Sequence, residues 1–320
     1  MGRIAISFAT LGTMLLALLY ASAARAQSQT YVSGAGSDQN LCTRAAPCAT
    51  MQHAHDQTGV GGQISVLDSG SFGRVDITKS ISIVAEGAVG TIVTALGLSI
   101  SISVGATDVV TLRGLVLEGP GGVGIGIASN GGVLHVQNCV IRGLSVGLHQ
   151  LAGELFVSDT IVTDNGSDTT GSGSGKSGAG IVIAPNAGTT ATAILNRVQV
   201  ENNKGTGGIV ANSISGGAIH VFVRDSVVIG NSTVGIAAKT PAGAASVASI
   251  LIDRTASVSN GGAGVSADGS AATVWLSNST IARNIAGLAF ANGGTIASFG
   301  NNAVINNFAD GVPSTTVAPK

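Results

Sequence analysis

Four charged side chains occupy the same place in a repeated pattern: Asp159, Arg197, Asp225 and Arg254, with Asn278 and Asn301 continuing the row. Each lies two residues after an apolar residue that closes a run of alternating apolar and polar positions. If those runs stack as strands, neighbours in the row lie about 5 Å apart, and their signs alternate from one to the next. Two kinds of chemistry fit. An aspartate could act as general acid or base while an arginine holds a uronate carboxylate or stabilises developing negative charge. Alternatively, the four residues form an ionic ladder contributing about 0–1 kcal/mol per pair. Regular alternation favours the ladder, because a catalytic group has no need of a periodic partner.

A second row stands one residue before the same apolar positions: Thr111, His135, Phe156, Ile194, Phe222, Leu251, Trp275 and Ser298. Strand alternation turns it away from a core. Bulky apolar residues in succession on an outer face suit recognition, with Phe156, Phe222 and Trp275 stacking on sugar rings or on a partner protein. The competing expectation is that loops such as Gly166–Gly178 and Thr240–Ala245 fold over the strip. His135, His149 and His220 fall in different repeats, and each is expected to be solvated or hydrogen-bonded. Lys176 reads as a solubilising charge. Gly121–Gly126 looks like a nucleotide loop but lacks a following helical pattern, so it reads as a glycine-rich corner.

The elements that must position these rows follow from the repeat. Taking Leu112, Val136, Val157, Leu195, Val223, Ile252, Leu276 and Phe299 as anchors, the spacing varies between 21 and 38 residues. That variation fits a solenoid, whose corner loops grow freely while each turn returns to the same stack. Eight residues after successive anchors come Asn165, Asn203, Asn231, Asn260, Asn284 and Asn307, whereas Pro120 and Leu144 take that place in the two earliest repeats. Asparagine tolerates the left-handed backbone of a tight corner, and its amide both donates and accepts. The row therefore predicts a structural ladder rather than a binding site. A glycine followed by an aliphatic residue comes soon after each asparagine, as in Gly208-Ile209 and Gly235-Ile236. Aliphatic residues two before, at, and five after each anchor predict two short strands per turn, with small residues such as Cys139, Thr160, Ser226, Thr255 and Ser279 between them. No helical periodicity separates the strands.

The flanks set compartment and boundaries. Arg3, the apolar stretch Ile4–Leu19 and Ala24-Arg25-Ala26 predict a signal peptide over residues 1–26. A membrane anchor is the alternative, but the stretch falls short of the ~20 residues a span needs. Residues 27–59 form a cap segment, in which Ala49–Thr58 predicts a short helix with Met51 and Ala54 inward. Residues 60–312 carry the repeats, beginning with less regular turns, and 313–320 read as a flexible tail. Cys42 and Cys48 bracket a short loop and are expected to pair in an oxidising compartment. A metal site with His53 or His55 is the alternative. Cys139 reads as a small buried hydrophobe. With 15 basic and 16 acidic residues the net charge is −1, which offers no field for nucleic acid.

The repeated strand–Asn–Gly–aliphatic pattern, over roughly residues 60–312, resembles the right-handed parallel β-helix proteins of the pectate-lyase-like superfamily. The opening from Tyr31 through Asp38, Asn40, Cys42, Pro47-Cys48 and Gly61-Gly62-Gln63-Ile64 is similar to that of bacterial secreted β-helix proteins without assigned function. The resemblance implies an all-β, single-stranded right-handed parallel β-helix solenoid with a short N-terminal capping helix. It does not choose an activity, because the superfamily includes lyases, hydrolases, epimerases, adhesins and tailspikes. The Asn-Thr-Asp, Asp-Asp and Gly-His-Gly runs of polygalacturonase-like hydrolases do not occur, nor does the epimerase-like Tyr-Gly-x-Asp-Pro-His-Asp run. Gly261-Gly262-Ala263-Gly264 starts like a calcium-binding nonapeptide, but Ser266 stands where its aspartate belongs. Calcium-dependent lyases cluster acidic residues, which are scarce here.

The expectation is thus a periplasmic or extracellular protein that binds a polysaccharide or an envelope protein through Phe156, Phe222 and Trp275, without cofactor or metal. The alternatives are a lyase or hydrolase of an acidic polysaccharide using Asp159, Arg197, Asp225 and Arg254, and a structural or adhesin module.

Overall fold

A computed structural model describes residues 27–94, 96–167, 178–241, 243 and 245–318. The expected signal peptide, most of the Gly166–Gly178 insertion and Lys176 lie outside them. The chain folds as a right-handed parallel β-helix. Strands pair in parallel from turn to turn in a 19-stranded and a 10-stranded sheet.

Each regular turn carries three strands, not the two the periodicity predicts. A first face holds strands such as Thr190–Asn196, Ala218–Arg224, Ala248–Asp253 and Ala272–Ser277. A second face holds three-residue strands such as Gln199–Glu201, Val227–Ile229 and Ala256–Val258. The third face holds Ala179–Ile183, Gly207–Asn212, Val234–Lys239 and Ala263–Asp268. The first and third faces merge into one sheet because Ile125–Gln137 and Val146–Ser158 run across both without a break.

The anchors pair as predicted from Leu112 through Val136, Val157, Leu195, Val223 and Ile252 to Leu276. Their inward side chains fill a narrow core of aliphatic residues. The last anchor is displaced by one residue: Ser298, not Phe299, pairs with Leu276. Ser298 is therefore buried rather than on the outer row, and Ala297 stands opposite Trp275.

Two of the three corners of each regular turn use the left-handed region at a fixed place. After the first face it is adopted by Asn138, Asp159, Arg197, Asp225, Arg254 and Asn278, with Gly114 and Gly300 at the two ends of the row. Because Gly300 holds that place, Asn301 lies one residue beyond the row. Before the asparagine row it is adopted by Asp164, Asn202, Gly230, Ser259, Arg283 and Asn306. The left-handed residue is thus the one preceding each ladder asparagine, not the asparagine itself.

The asparagines are turned inward and linked amide to amide. Asn165 Nδ2 donates to Asn203 Oδ1 at 3.0 Å, Asn203 to Asn231 at 3.0 Å, Asn231 to Asn260 at 2.9 Å, Asn260 to Asn284 at 2.9 Å and Asn284 to Asn307 at 2.9 Å. Each acceptor oxygen also takes the backbone N–H of the preceding asparagine. Leu144, one of the two exceptions, donates its backbone N–H to Asn165 Oδ1. At the other end Asn307 Nδ2 donates to Asp310 Oδ1 at 2.8 Å.

The ladder explains the glycines that follow it. A Cβ on Gly208 would lie 2.8 Å from the Gly235 carbonyl oxygen, 2.9 Å from Asn231 Nδ2 and 2.9 Å from Val228 Cγ1. Gly180, Gly235, Gly264 and Gly287 meet the amides of Asn203, Asn260, Asn284 and Asn307 in the same way. Space, rather than backbone freedom, requires glycine there.

The two ends differ. Thr50 caps the helix Met51–Gln57 by accepting from the His53 N–H, and Met51, Ala54 and His55 are buried. The strand Gln27–Val32 pairs with Thr58–Val66, so the first rung starts inside the cap segment. At the far end Thr315–Thr316 pairs with Ala297–Ser298, so part of the tail expected to be loose joins the last turn. Phe290 and Phe308 are exposed at that end.

Candidate functional site

The outer row of the first face is in register over its length. His135 pairs with Phe156, Phe156 with Ile194, Ile194 with Phe222, Phe222 with Leu251 and Leu251 with Trp275. All six are half-buried, as expected of side chains standing on a solvated sheet. The His135 and Phe156 rings stack with centroids 5.0 Å apart and planes at 18°. Phe299, displaced from the core register, lays its ring beside Trp275 at 6.2 Å. A shallow open groove of about 300 Å³ runs between Thr192, Ile194, His220, Phe222, Ser249 and Leu251. Aromatic residues alternate with aliphatic ones, so Phe156, Phe222 and Trp275 stand on every second turn, about 9.6 Å apart along the axis at the ~4.8 Å strand spacing.

The charged corner borders this face. Arg197 Nε and Nη2 donate to the two carboxylate oxygens of Asp159 at 2.7 and 2.8 Å. Arg254 grips Asp225 in the same two-pronged way, at 2.8 and 3.1 Å, and also reaches Asp253. The Arg197 hydrogen bonds hold the Asp159 carboxyl below the usual carboxylate range, and those of Arg254 do the same for Asp225. Arg197 and Arg254 are raised in return. Carboxylates with both oxygens occupied and lowered affinity for protons are poorly disposed to deliver one near neutral pH. The four residues come together as two ion pairs.

A hydroxyl row lies directly behind that corner. Ser226 Oγ accepts from the Val198 N–H at 3.1 Å and donates to the Arg224 carbonyl, while Thr255 N–H donates to Ser279 Oγ. The small residues seen in the sequence are therefore a second, looser ladder, interrupted at Cys139 and Val198. Burial pushes the Cys139 thiol up to about 11, so it stays protonated and inert. Burial also lowers the His149 pKa, so that ring is neutral near pH 7.

Cys42 and Cys48 form a disulfide. His53 lies near both sulfurs, but sulfurs bonded to each other are not thiolate ligands, so the group does not fit a metal. Sequence reasoning missed a polar cleft of about 260 Å³ near the N-terminal end of the same face, lined by Gln29, Tyr31, Arg44, Gln63, Ser65 and Glu86 among others. Its signal was present: Gln29 and Tyr31 alternate with buried Thr30 and Val32, and Gln63 and Ser65 with buried Ile64 and Val66.

No protein-family model matches the chain, and no curated protein matches it in sequence. Among solved structures it is similar to pectate lyase Pel9A, with a TM-score of 0.58 and 12% identity over 91% of this chain and 78% of that one. A rhamnogalacturonan lyase and the Azotobacter vinelandii mannuronan C-5 epimerase AlgE4 A-module align with TM-scores of 0.40, at 12% and 11% identity, covering 81% and 74% of this chain and 82% and 72% of theirs. At these identities the likeness is one of fold. No helix among the described residues is long and apolar enough to cross a membrane.

Proposed function

We propose, with the parallel β-helix as premise, that this chain is an exported protein that binds a polysaccharide along the outer row of its first face without transforming it. One observation carries the reading: Phe156, Phe222 and Trp275 stand in register on alternate turns of one solvated face. A glycan lying parallel to the axis would meet an aromatic platform every ~9.6 Å, about the length of a disaccharide repeat. Stacking of apolar sugar faces on rings adds to the burial of the intervening Ile194 and Leu251. The pairing of Asp159 with Arg197 and Asp225 with Arg254 supports a binding role over a catalytic one. The Cys42–Cys48 bond and the leader motif support placement in the periplasm or outside the cell.

The test is binding of the mature protein to an array of plant and bacterial polysaccharides, with unsaturated and reducing-end products monitored. Trp275→Ala and Phe222→Ala should each weaken binding about tenfold with no product formed. Product formation that vanishes in folded Asp225→Ala would replace this reading with the enzymatic one. Unchanged binding in both aromatic variants would remove the strip from the function.

A further inference from the structure

The polar cleft near the N-terminal end of the first face is built from two outer columns and a loop. Gln29, Gln63 and Ser82 pair along one column; Tyr31, Ser65 and Val84 pair along the next. Gln29 Nε2 and Gln63 Nε2 both donate to Ser65 Oγ, at 3.3 and 2.8 Å. With its lone pairs engaged, the Ser65 hydroxyl has its own proton to offer to the cleft. The two glutamine carbonyl oxygens remain as acceptors. Side-chain amides and a hydroxyl set side by side suit the adjacent hydroxyl groups of a sugar ring.

The wall is the Cys42–Cys48 loop, and it is tied to the cleft by backbone. Tyr31 N–H donates to the Cys42 carbonyl at 2.8 Å, and Cys48 N–H donates to the Tyr31 carbonyl at 2.9 Å. The disulfide thus clamps the loop on either side of the residue whose ring faces the cleft. From this loop Arg44 places its guanidinium 5.7 Å from the centre of the Tyr31 ring. Among the described residues no carboxylate pairs with Arg44, whereas Glu86, on the opposite wall, is taken by Arg113. The cleft therefore presents one uncommitted positive charge, a planar two-pronged donor backed by an aromatic ring.

We propose that this cleft is a binding site for a carboxylate-bearing sugar unit, in which Arg44 grips the carboxylate while Gln29, Gln63 and Ser65 bind ring hydroxyls. The inference deepens the glycan-binding reading of the first face and rests on it: the cleft lies on the same outer columns as the aromatic row and would fix one end of the chain. Because Arg44 is carried by the disulfide loop, retention of the acidic ligand depends on that bond being intact.

The experiment compares a uronate hexasaccharide with the same hexasaccharide after reduction of its carboxyls to primary alcohols, by titration calorimetry on the mature protein. The expected result is at least tenfold tighter binding of the uronate form. Arg44→Ala should erase that difference, and Arg44→Lys should restore part of it. Opening the disulfide with a mild reductant should reproduce the Arg44→Ala result, with circular dichroism showing that the solenoid stays folded. Equal affinity for the two forms, no binding of either, or a uronate preference that survives Arg44→Ala would overturn the proposal. Trp275→Ala separates the two readings. Loss of binding there with no effect of Arg44→Ala sinks the cleft and keeps the strip, and the reverse sinks the strip and keeps the cleft.

Discussion

Every regular turn has two corners of nearly the same backbone shape, and they tolerate sequence very differently. Each corner places one residue in the left-handed region and follows it with an inward-pointing residue. At the first corner the left-handed residue is Asn, Asp or Arg, and the next is Thr160, Ser226, Thr255 or Ser279, but also Cys139 or Val198. At the second corner the left-handed residue varies just as freely, yet the next is asparagine in six successive turns. The difference lies in what the inward group must satisfy. A corner hydroxyl bonds one carbonyl of its own strand and one N–H of the turn before. A corner asparagine such as Asn231 accepts two N–H groups and donates to a carbonyl and to the next amide while buried from solvent. Where one residue serves four buried partners, substitution leaves several of them unsatisfied.

The comparison can be broken first at the glycines. Gly208→Ala forces a methyl against the Asn231 amide and a carbonyl, and should cost about 3 kcal/mol in urea unfolding. Asn231→Ala should cost about 2–4 kcal/mol. In the double variant the two losses should fall short of additive, since the contact with the amide is then gone while those with the Gly235 carbonyl and Val228 remain. Additive losses would mean that the glycine is required for some reason other than the ladder. Ser226→Ala, at the other corner, should cost about 1 kcal/mol, and a cost equal to that of Asn231→Ala would erase the distinction between the corners.

The smallest effects belong to the exposed charges. Arg197 holds a left-handed conformation that costs a non-glycine residue about 1 kcal/mol. Arg197→Gly should relieve that cost while losing the ion pair, leaving the melting temperature nearly unchanged. Arg197→Val keeps the strain, loses the pair and should lower it. The pairing also fixes a pH dependence. The Asp159 carboxyl is held low in the folded state, so its contribution is complete above its unfolded value of about 4. It is lost as pH falls through the lowered value. Replacing Asp159 with Asn should lower stability slightly near neutral pH, leave it unchanged below the lowered value, and so flatten the acid limb between them.

The same contrast explains what could be read from the sequence. The asparagine row was legible because it stands at a constant distance from the anchors over six turns, and a buried ladder permits no other residue. The third strand was not, because strands such as Gly207–Asn212 carry near their start a glycine, here Gly208, dictated by a neighbouring amide, and glycine reads as a turn. The left-handed residue was misplaced because Asp164, Arg283 and Ser259 share a conformation without sharing chemistry. The last anchor slipped because Phe299 is the stronger hydrophobe beside Ser298, and a single sequence ranks hydrophobicity above register. Of the outer face, the aromatic row was visible from periodicity. Of the Arg44 cleft only the alternation in its two strands could be read, because the disulfide loop that carries Arg44 is brought to them by the fold alone.

The asparagine ladder has a grammar. Every amide hands one hydrogen to the amide oxygen of the following turn and the other to a backbone carbonyl, so the amide-to-amide column reads in one direction only. A carboxylate can receive but has nothing to hand on, and Asp310 is the group that receives from Asn307. It works as a full stop. Whole turns could be inserted upstream of it by copying the sentence unit, each with its own asparagine and glycine, and the column would still close on the same mark. Asp310, three residues on in the same loop, thus supplies to Asn307 the oxygen that each earlier asparagine takes from the following turn.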